Sequence, residues 1–124
     1  MNNHPDCPFC LSNNTFTGDI LAETDGGFAT AARGFEHCYL LIPKDHVETL
    51  ADIPDSWWVD FKQLTAKLTM PESYNLSLNY GKAAGQTLKH LHFWVIPRDA
   101  ATPSATHGLA TLINMVDEPA VPVE

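Results

Sequence analysis

Two histidines stand one residue apart in the segment GQTLKHLHFWVIPR, which spans residues 85–98. A neutral imidazole is both a competent nucleophile and a competent metal ligand, and its charge changes near neutral pH. The stretch AAGQT, directly before it, can direct backbone N–H groups and two polar side chains at an anion. The alternative is that both rings are structural, as buried histidines whose hydrogen bonds are satisfied.

The segment Leu88–Pro97 has the length and composition of a β-strand. Because side chains alternate along a strand, His90, His92 and Trp94 are predicted to share one face at a spacing of roughly 7 Å. The opposite face carries ordinary core residues, namely Leu91, Phe93 and Val95.

Three cysteines are present, two of them in the motif CPFC at residues 7–10. The N-terminal sequence lacks the basic and apolar regions of a signal peptide, so we expect a cytoplasmic protein with reduced thiols. In that setting a CxxC pair is more often a metal clasp or a redox pair than a structural disulfide. Cys38 stands alone and is predicted to be a core thiol.

The chain has 124 residues, a formal net charge of −8 and 44% hydrophobic residues, which suit one compact domain with a real core. No basic block is present, which argues against broad nucleic-acid binding. No apolar run approaches the roughly 20 residues that span a bilayer. A small phosphate-bearing ligand remains compatible with the negative charge, because a few oriented donors suffice to bind it.

The elements that would position these residues are five strands and one long helix. The helix is predicted over Pro54–Met70, with Asp52 as its cap. Its apolar stripe consists of Trp57, Phe61, Leu64 and Leu68. Its polar face carries Asp60, Lys62, Gln63 and Lys67. A helical turn is possible at His46–Leu50. The strand candidates are Asp19–Glu23, Phe28–Arg33, His37–Pro43, Tyr74–Tyr80 and Leu88–Pro97, with a hairpin turn at Thr24–Gly27 between the first two. This order predicts an α+β domain on an antiparallel sheet.

Three motifs in order resemble those of the histidine triad (HIT) superfamily. They are CPFC, LLIPKDH at residues 40–46, and NYG followed by AGQT and HLHFWVIP at residues 79–97. The resemblance implies a single HIT-like domain over residues 1–124, with a core at about 7–98 and a C-terminal tail at 99–124. It also implies a five-stranded antiparallel sheet, one long and one shorter helix, and a homodimer. In the tail, only His107–Val116 is predicted to form a helix.

The resemblance assigns catalysis to His92, which matches the histidine that attacks the α-phosphorus of a nucleotide derivative and forms a nucleotidyl-histidine intermediate. Gly85, Gln86 and Thr87 match the segment that binds the phosphate oxygens. Asn79 matches a residue beside the nucleotide, although a polar cap at the end of a strand explains it equally well.

The resemblance also implies a structural zinc ion. Its ligands match Cys7, Cys10, His46 and His90, a donor set of two thiolates and two imidazoles that suits a closed tetrahedral site. The alternative is a relic CPFC pair with no bound metal.

Trp94 departs from the family pattern, because it occupies the position of the third histidine. An indole N–H donates one hydrogen bond and cannot deliver a proton to a leaving group, a contribution typically worth 10²–10⁴-fold in rate. Either the leaving group needs no acid, another residue supplies one, or the protein is slow. Trp94 could instead stack on an aromatic ligand or fill the pocket.

A second departure lies in FATAARGF at residues 28–35, which lacks the acidic residue that in the family holds the ribose hydroxyls. Glu36 comes one residue later and could substitute only if the loop is rearranged. Arg33 either meets an anionic group or is solvated.

The sequence therefore predicts a nucleotide phosphoanhydride or phosphoramidate hydrolase, or a nucleotidyl transferase, that acts on a small nucleotide or phosphate ligand. The alternative is a catalytically weak module of the same fold that binds such a ligand. A redox or metal-sensing role centred on CPFC is a third candidate, disfavoured by the separate histidine motifs.

Overall fold

The computed structural model describes residues 3–33, 35 and 37–98. These residues form an antiparallel sheet of five strands in the order β1-β2-β3-β5-β4 and one α-helix. The strands are β1 (Ala22–Glu23), β2 (Gly27–Ala31), β3 (Tyr39–Pro43), β4 (Tyr74–Leu78) and β5 (Phe93–Pro97), and the helix is α1 (Ser56–Lys67). Short 3-10 turns lie at Leu11–Asn13, Leu50–Asp52 and Lys82–Ala84. The α+β class and the five-stranded antiparallel sheet are confirmed.

Strands β2 and β3 are covered on both faces, which explains why their sequences are apolar almost without interruption. On one face, Leu41 and Ala29 join the core beneath α1. On the other face, Phe28, Leu40 and Ile42 form a second cluster. The side chains packed against that second cluster come from the N-terminal segment and the following strands: Phe9, Leu11, Phe16, Cys38 and Trp94.

Helix α1 packs its predicted apolar stripe onto the sheet. Trp57 and Leu64 are buried, and Phe61 and Leu68 are partly buried against the same core. Close approach to β2 requires a glycine there, because a Cβ on Gly27 would lie 2.6 Å from Cζ3 of Trp57. The stripe prediction is confirmed.

Several local predictions around the helix are wrong. The helix is shorter than Pro54–Met70, and Asp52 ends a 3-10 turn where it accepts a hydrogen bond from Thr49 Oγ1 at 2.7 Å. No helical turn forms at residues 46–49. Asp60, predicted on the polar face, is buried and accepts a hydrogen bond from the Gly26 N–H at 3.3 Å. The tight turn before β2 leaves that N–H facing the helix, and the carboxylate satisfies it.

The last strand begins at Phe93, so the prediction that His90 and His92 lie within a strand is wrong. The Leu91 N–H donates to the carbonyl of Val47 at 2.9 Å, beyond the end of β3, and does not continue the β3–β5 ladder. The side chains still alternate. Leu91 enters the core beneath α1, whereas the rings of His90 and His92 both contact Phe9 on the opposite side.

The helix predicted at His107–Val116 and the rest of the tail at 99–124 lie outside the described residues. Among the residues that the structure describes, no helix is long and apolar enough to cross a membrane.

Candidate functional site

His90 is fully buried and its tautomer is fixed by the backbone. Its Nε2 lies 2.7 Å from the carbonyl oxygen of Pro43. Because a carbonyl oxygen can only accept, Nε2 carries the proton and Nδ1 keeps its lone pair. That Nδ1 lies 3.4 Å from Sγ of Cys7 and 3.6 Å from Sγ of Cys10.

Four ligand atoms converge at this point. Sγ of Cys10 also lies 3.3 Å from Nδ1 of His46, and the ligand atoms of Cys7, Cys10, His46 and His90 all lie within 4.8 Å of one another. A tetrahedral zinc ion with ordinary Zn–S and Zn–N lengths separates its ligands by about 3.3–3.8 Å. The donor set and its spacing therefore fit a closed tetrahedral metal site. The four residues predicted as metal ligands are brought together.

Outer contacts orient these ligands. Nε2 of His46 lies 2.8 Å from a carboxylate oxygen of Glu48, an arrangement common behind metal-bound histidines. The backbone N–H of His4 donates to Sγ of Cys10 at 3.4 Å. The Asn13 amide donates to the carbonyls of His4 and Cys7 at 2.6 and 2.9 Å, which ties the cysteine loop together.

Burial sets the protonation preferences of the cluster. Desolvation lowers the pKa of His90 to about 4, so its ring is neutral at pH 7, as a metal ligand must be. Desolvation also raises the pKa of the Cys7 thiol. A bound cation would reverse that second shift, because metal coordination deprotonates a thiol.

His92 carries the opposite tautomer. Its Nδ1 lies 3.0 Å from the carbonyl oxygen of His90, so Nδ1 is protonated and the lone pair lies on Nε2. The residue is 7% exposed. The ring of Phe9 meets it edge to face, with centroids 5.2 Å apart.

Trp94 lies beside His92 and does not stack on it. The two ring centroids are 6.5 Å apart and the rings are inclined by 48°. The indole contacts Phe35 edge to face at 5.3 Å. Its buried Nε1 has no hydrogen-bond partner among the described residues.

The glycine loop that precedes the histidines is held by its own side chain. Oε1 of Gln86 accepts from the Gly81 N–H at 2.8 Å, and its Nε2 donates to the carbonyls of Leu88 and Lys89 at 2.7 and 3.2 Å. Asn79 approaches Gly85, since a Cβ there would lie 3.6 Å from Nδ2 of Asn79. Gly85 has φ +91°, which an L side chain rarely adopts. Gln86 thus shapes the loop that was predicted to bind phosphate.

Comparison with known proteins decides the family. The HIT domain family matches residues 32–101. An adenosine 5′-monophosphoramidase of Schizosaccharomyces pombe is 34% identical over 112 residues, covering 83% of this chain and 79% of that protein. The chain belongs to the HIT domain family.

Two other similar proteins agree with this assignment. An adenosine 5′-monophosphoramidase of Candida albicans is 33% identical over 120 residues, covering 82% of this chain and 77% of that protein. A zinc-bound histidine triad family protein of Mycobacterium smegmatis superposes with a TM-score of 0.67 at 23% identity, covering 79% of this chain and 78% of that one. The structural likeness shows the fold.

Two cavities flank the histidines of this HIT domain. The first, of about 250 Å³, lies beside the cysteine–histidine cluster and is lined by residues that include Glu48, Thr87, Lys89 and His90. The second, of about 270 Å³, is lined by Pro8, Phe9, Phe16, Thr17, Gly18, Thr30, Ala31, Arg33 and Leu40. Phe9 is thus both a wall of the second cavity and a neighbour of His92. Of the residues predicted to bind phosphate, only Thr87 lines one of these two cavities.

Sequence reasoning missed four contributors to the site: the Pro43 carbonyl, Glu48, Asn13 and Phe9. Glu48 follows His46 by two residues, a spacing that could have suggested it. Phe9 stands inside the CPFC motif, but nothing in its type points to a contact with a histidine 83 residues later. A sequence does not show which backbone carbonyl will accept a hydrogen bond from a site residue.

Proposed function

We propose that this HIT domain protein hydrolyses, or transfers the nucleotidyl group of, a nucleotide phosphoramidate or phosphoanhydride, with His92 as the nucleophile. The hydrogen bond from Nδ1 of His92 to the His90 carbonyl carries the proposal, because it leaves a lone pair on Nε2. The names of the two yeast relatives support a phosphoramidate substrate.

In the proposed first step, the Nε2 lone pair attacks the α-phosphorus. The bond from phosphorus to the leaving oxygen or nitrogen breaks, and its electron pair departs with the leaving group, which takes a proton from solvent when the leaving atom is nitrogen. In the second step, water attacks the same phosphorus and loses a proton to solvent, the P–N bond breaks and its electrons return to Nε2. The His90 carbonyl holds the Nδ1 proton throughout and stabilises the ring when it is positively charged.

The phosphate contacts are assigned to Asn79, Gly85, Gln86, Thr87 and the indole N–H of Trp94. Gln86 could reach a phosphate only by giving up its bonds to the Leu88 and Lys89 carbonyls. The buried Nε1 of Trp94 has no acceptor within the described part of the chain, and a phosphate oxygen would satisfy it.

The proposed cofactor is a structural zinc ion held by Cys7, Cys10, His46 and His90, which would fasten the N-terminal segment to the sheet. The converging ligand atoms and the neutral His90 support it. The proposed location is the cytoplasm, where thiols stay reduced and available to a metal ion. Zinc content measured on the purified protein, with Cys7→Ser as comparison, tests this assignment. A parent protein free of zinc after purification without chelators would contradict it.

We also infer a homodimer formed through β4 and α1. Strand β4 is an edge of the sheet, and its Tyr74 and Leu76 are exposed on the face that Leu78 uses to pack beneath α1. Trp58 and Val59 of α1 are exposed as well. Exposed apolar residues along an edge strand are typical of an interface. Light scattering should give twice the monomer mass, and Leu76→Arg should give the monomer.

A binding module without turnover is the second candidate. The low exposure of His92 and the engagement of Gln86 in its own loop favour it. Adenosine 5′-phosphoramidate separates the two functions. An enzyme would release AMP, and rapid acid-free quenching followed by mass spectrometry would detect an adenylyl group on His92. Binding by the parent with neither AMP release nor adduct would establish the module.

A further inference from the structure

The charge in the lining of the second cavity is positive, whereas the net charge of the protein is negative. The chain carries a formal net charge of −8. Among the described residues that line the cavity, however, Arg33 alone is charged. Its Nη2 donates to Oγ1 of Thr17 at 2.5 Å, which holds the guanidinium against the cavity wall.

Two residues that line this cavity lie near the proposed nucleophile, which is not itself in the lining. Phe9 lines it and contacts the ring of His92 at 5.2 Å. Leu40 also lines it and pairs across the sheet with Trp94, whose ring lies 6.5 Å from that of His92. The organic part of a substrate with its phosphorus at His92 could therefore reach this cavity.

The lining fits a nucleoside in size and character. A volume of about 270 Å³ is below the roughly 300–1,000 Å³ that encloses a drug-sized ligand, so the cavity holds part of a nucleotide. Phe9 and Phe16 offer aromatic surface for a base. Thr17 and Thr30 add hydroxyl groups that can donate or accept.

Arg33 offers only hydrogen-bond donors to this cavity. A guanidinium has five N–H donors and no acceptor, so it can donate to a hydroxyl oxygen but pairs more strongly with an anion. The described residues within 28–35 that line the cavity are Thr30, Ala31 and Arg33, none of which is acidic.

We propose that this cavity, given the proposed role of His92, selects a nucleotide that carries a second phosphate on its ribose, and that Arg33 binds that phosphate. Arg33 is thus a specificity-determining residue. The 2′- and 3′-phosphates present the same chemistry to a guanidinium at the mouth of the cavity, and the experiment distinguishes them.

Isothermal titration on the full-length chain tests the proposal with AMP, adenosine 3′,5′-bisphosphate and adenosine 2′,5′-bisphosphate. At least one bisphosphate should bind about tenfold more tightly than AMP, as expected for a charge-assisted hydrogen bond from an exposed arginine. Arg33→Gln should abolish that preference, and Arg33→Lys should retain part of it. Lys62→Gln removes the same charge from the exposed side of α1 and should leave the preference intact.

Equal binding of AMP and both bisphosphates, or a preference that survives in Arg33→Gln, would overturn the inference. Failure of all three nucleotides to bind would overturn it too. The same preparations are assayed for AMP release from adenosine 5′-phosphoramidate. Turnover without a bisphosphate preference would refute the role of Arg33 and leave the proposed reaction standing. A bisphosphate preference without turnover would support the role of Arg33 and refute the proposed reaction.

Discussion

His90 and His92 are two residues apart, contact the same phenyl ring and present opposite nitrogens to their surroundings. The Nε2–H of His90 donates to the Pro43 carbonyl, which leaves the lone pair of Nδ1 beside two thiols. The Nδ1–H of His92 donates to the His90 carbonyl, which leaves the lone pair of Nε2 available. Alternation along the chain puts both rings on one side, and two backbone acceptors give them different chemistry.

The two regions also differ in their surroundings. The cluster around His90 draws ligands from three distant parts of the chain, receives outer contacts from His4, Asn13 and Glu48, and borders the first cavity. The region around His92 is walled on one side by Phe9, behind which a cavity opens. A nucleophile needs room for its substrate, whereas a structural metal site does not. We propose that the pair of histidines separates a structural metal site from a reaction site.

The largest expected effect separates the two histidines. His92→Ala should lower kcat/KM for adenosine 5′-phosphoramidate by at least about 10³-fold, because the nucleophile is lost, and should leave zinc content unchanged. Cys7→Ser should lower zinc content and thermal stability, because metal binding contributes to folding. Metal analysis, melting curves and steady-state kinetics measure both. A His92→Ala protein that loses its zinc, or that retains its turnover, would contradict the division between the two regions.

Trp94→His tests whether the region around His92 lacks a general acid for the leaving group. If no other residue supplies the proton, a histidine there should accelerate departure of an amine by about 10²–10⁴-fold. Departure of a phosphate, which leaves as a stable anion, should change little. The measurement is kcat for adenosine 5′-phosphoramidate and for an adenine dinucleoside polyphosphate. Trp94→Phe is the control, since it retains an aromatic ring without an acid. Equal acceleration of both substrates by histidine would point to pocket shape and not to proton delivery.

Glu48→Gln probes the other region through its outer contacts. The carboxylate on Nε2 of His46 raises the basicity of that ligand, so its loss should weaken metal affinity by about 10–100-fold. Competition with a chromogenic zinc chelator measures the change. Turnover of the zinc-loaded variant should match the parent. Glu72→Gln, the same change at an exposed residue between α1 and β4, is a matched control that should retain parental affinity.

The sequence predicted the fold class because it depends on repeating residue types, whereas the ligand set came from the resemblance. The stripe from Trp57 to Leu64 and the apolar run of β3 appear directly as burial. The motif CPFC and the two later histidines were joined by resemblance, since their spacing alone would not pair them. Asp60 was misplaced because its burial depends on a backbone N–H of Gly26, which belongs to a turn 34 residues earlier.

The role of Gln86 shows the same limit. Its type suits a phosphate ligand, yet in the structure the amide closes the loop between Gly81 and Lys89. Either use satisfies the same donors and acceptor, so composition could not choose between them. The sequence also could not predict that β5 begins at Phe93. The Leu91 N–H donates to the carbonyl of Val47 across a bend and not to a strand residue.

Phe9→Leu gives the smallest expected effect. It tests whether the cluster around His90 and the region around His92 are independent of each other. The Phe9 ring meets His90 at 6.0 Å and His92 at 5.2 Å, so it belongs to both. Aromatic contacts of this kind contribute about 0.5–1.5 kcal/mol each, which corresponds to roughly 2–10-fold in an equilibrium or rate. We expect both zinc affinity and kcat to fall within that range. Phe16→Leu, which alters the same cavity and whose ring contacts are with Phe9 and Phe28, should raise KM with little change in zinc affinity. If Phe9→Leu changed kcat alone, the metal site would be fixed by its ligands and their hydrogen bonds, and the shared ring would serve only the nucleophile.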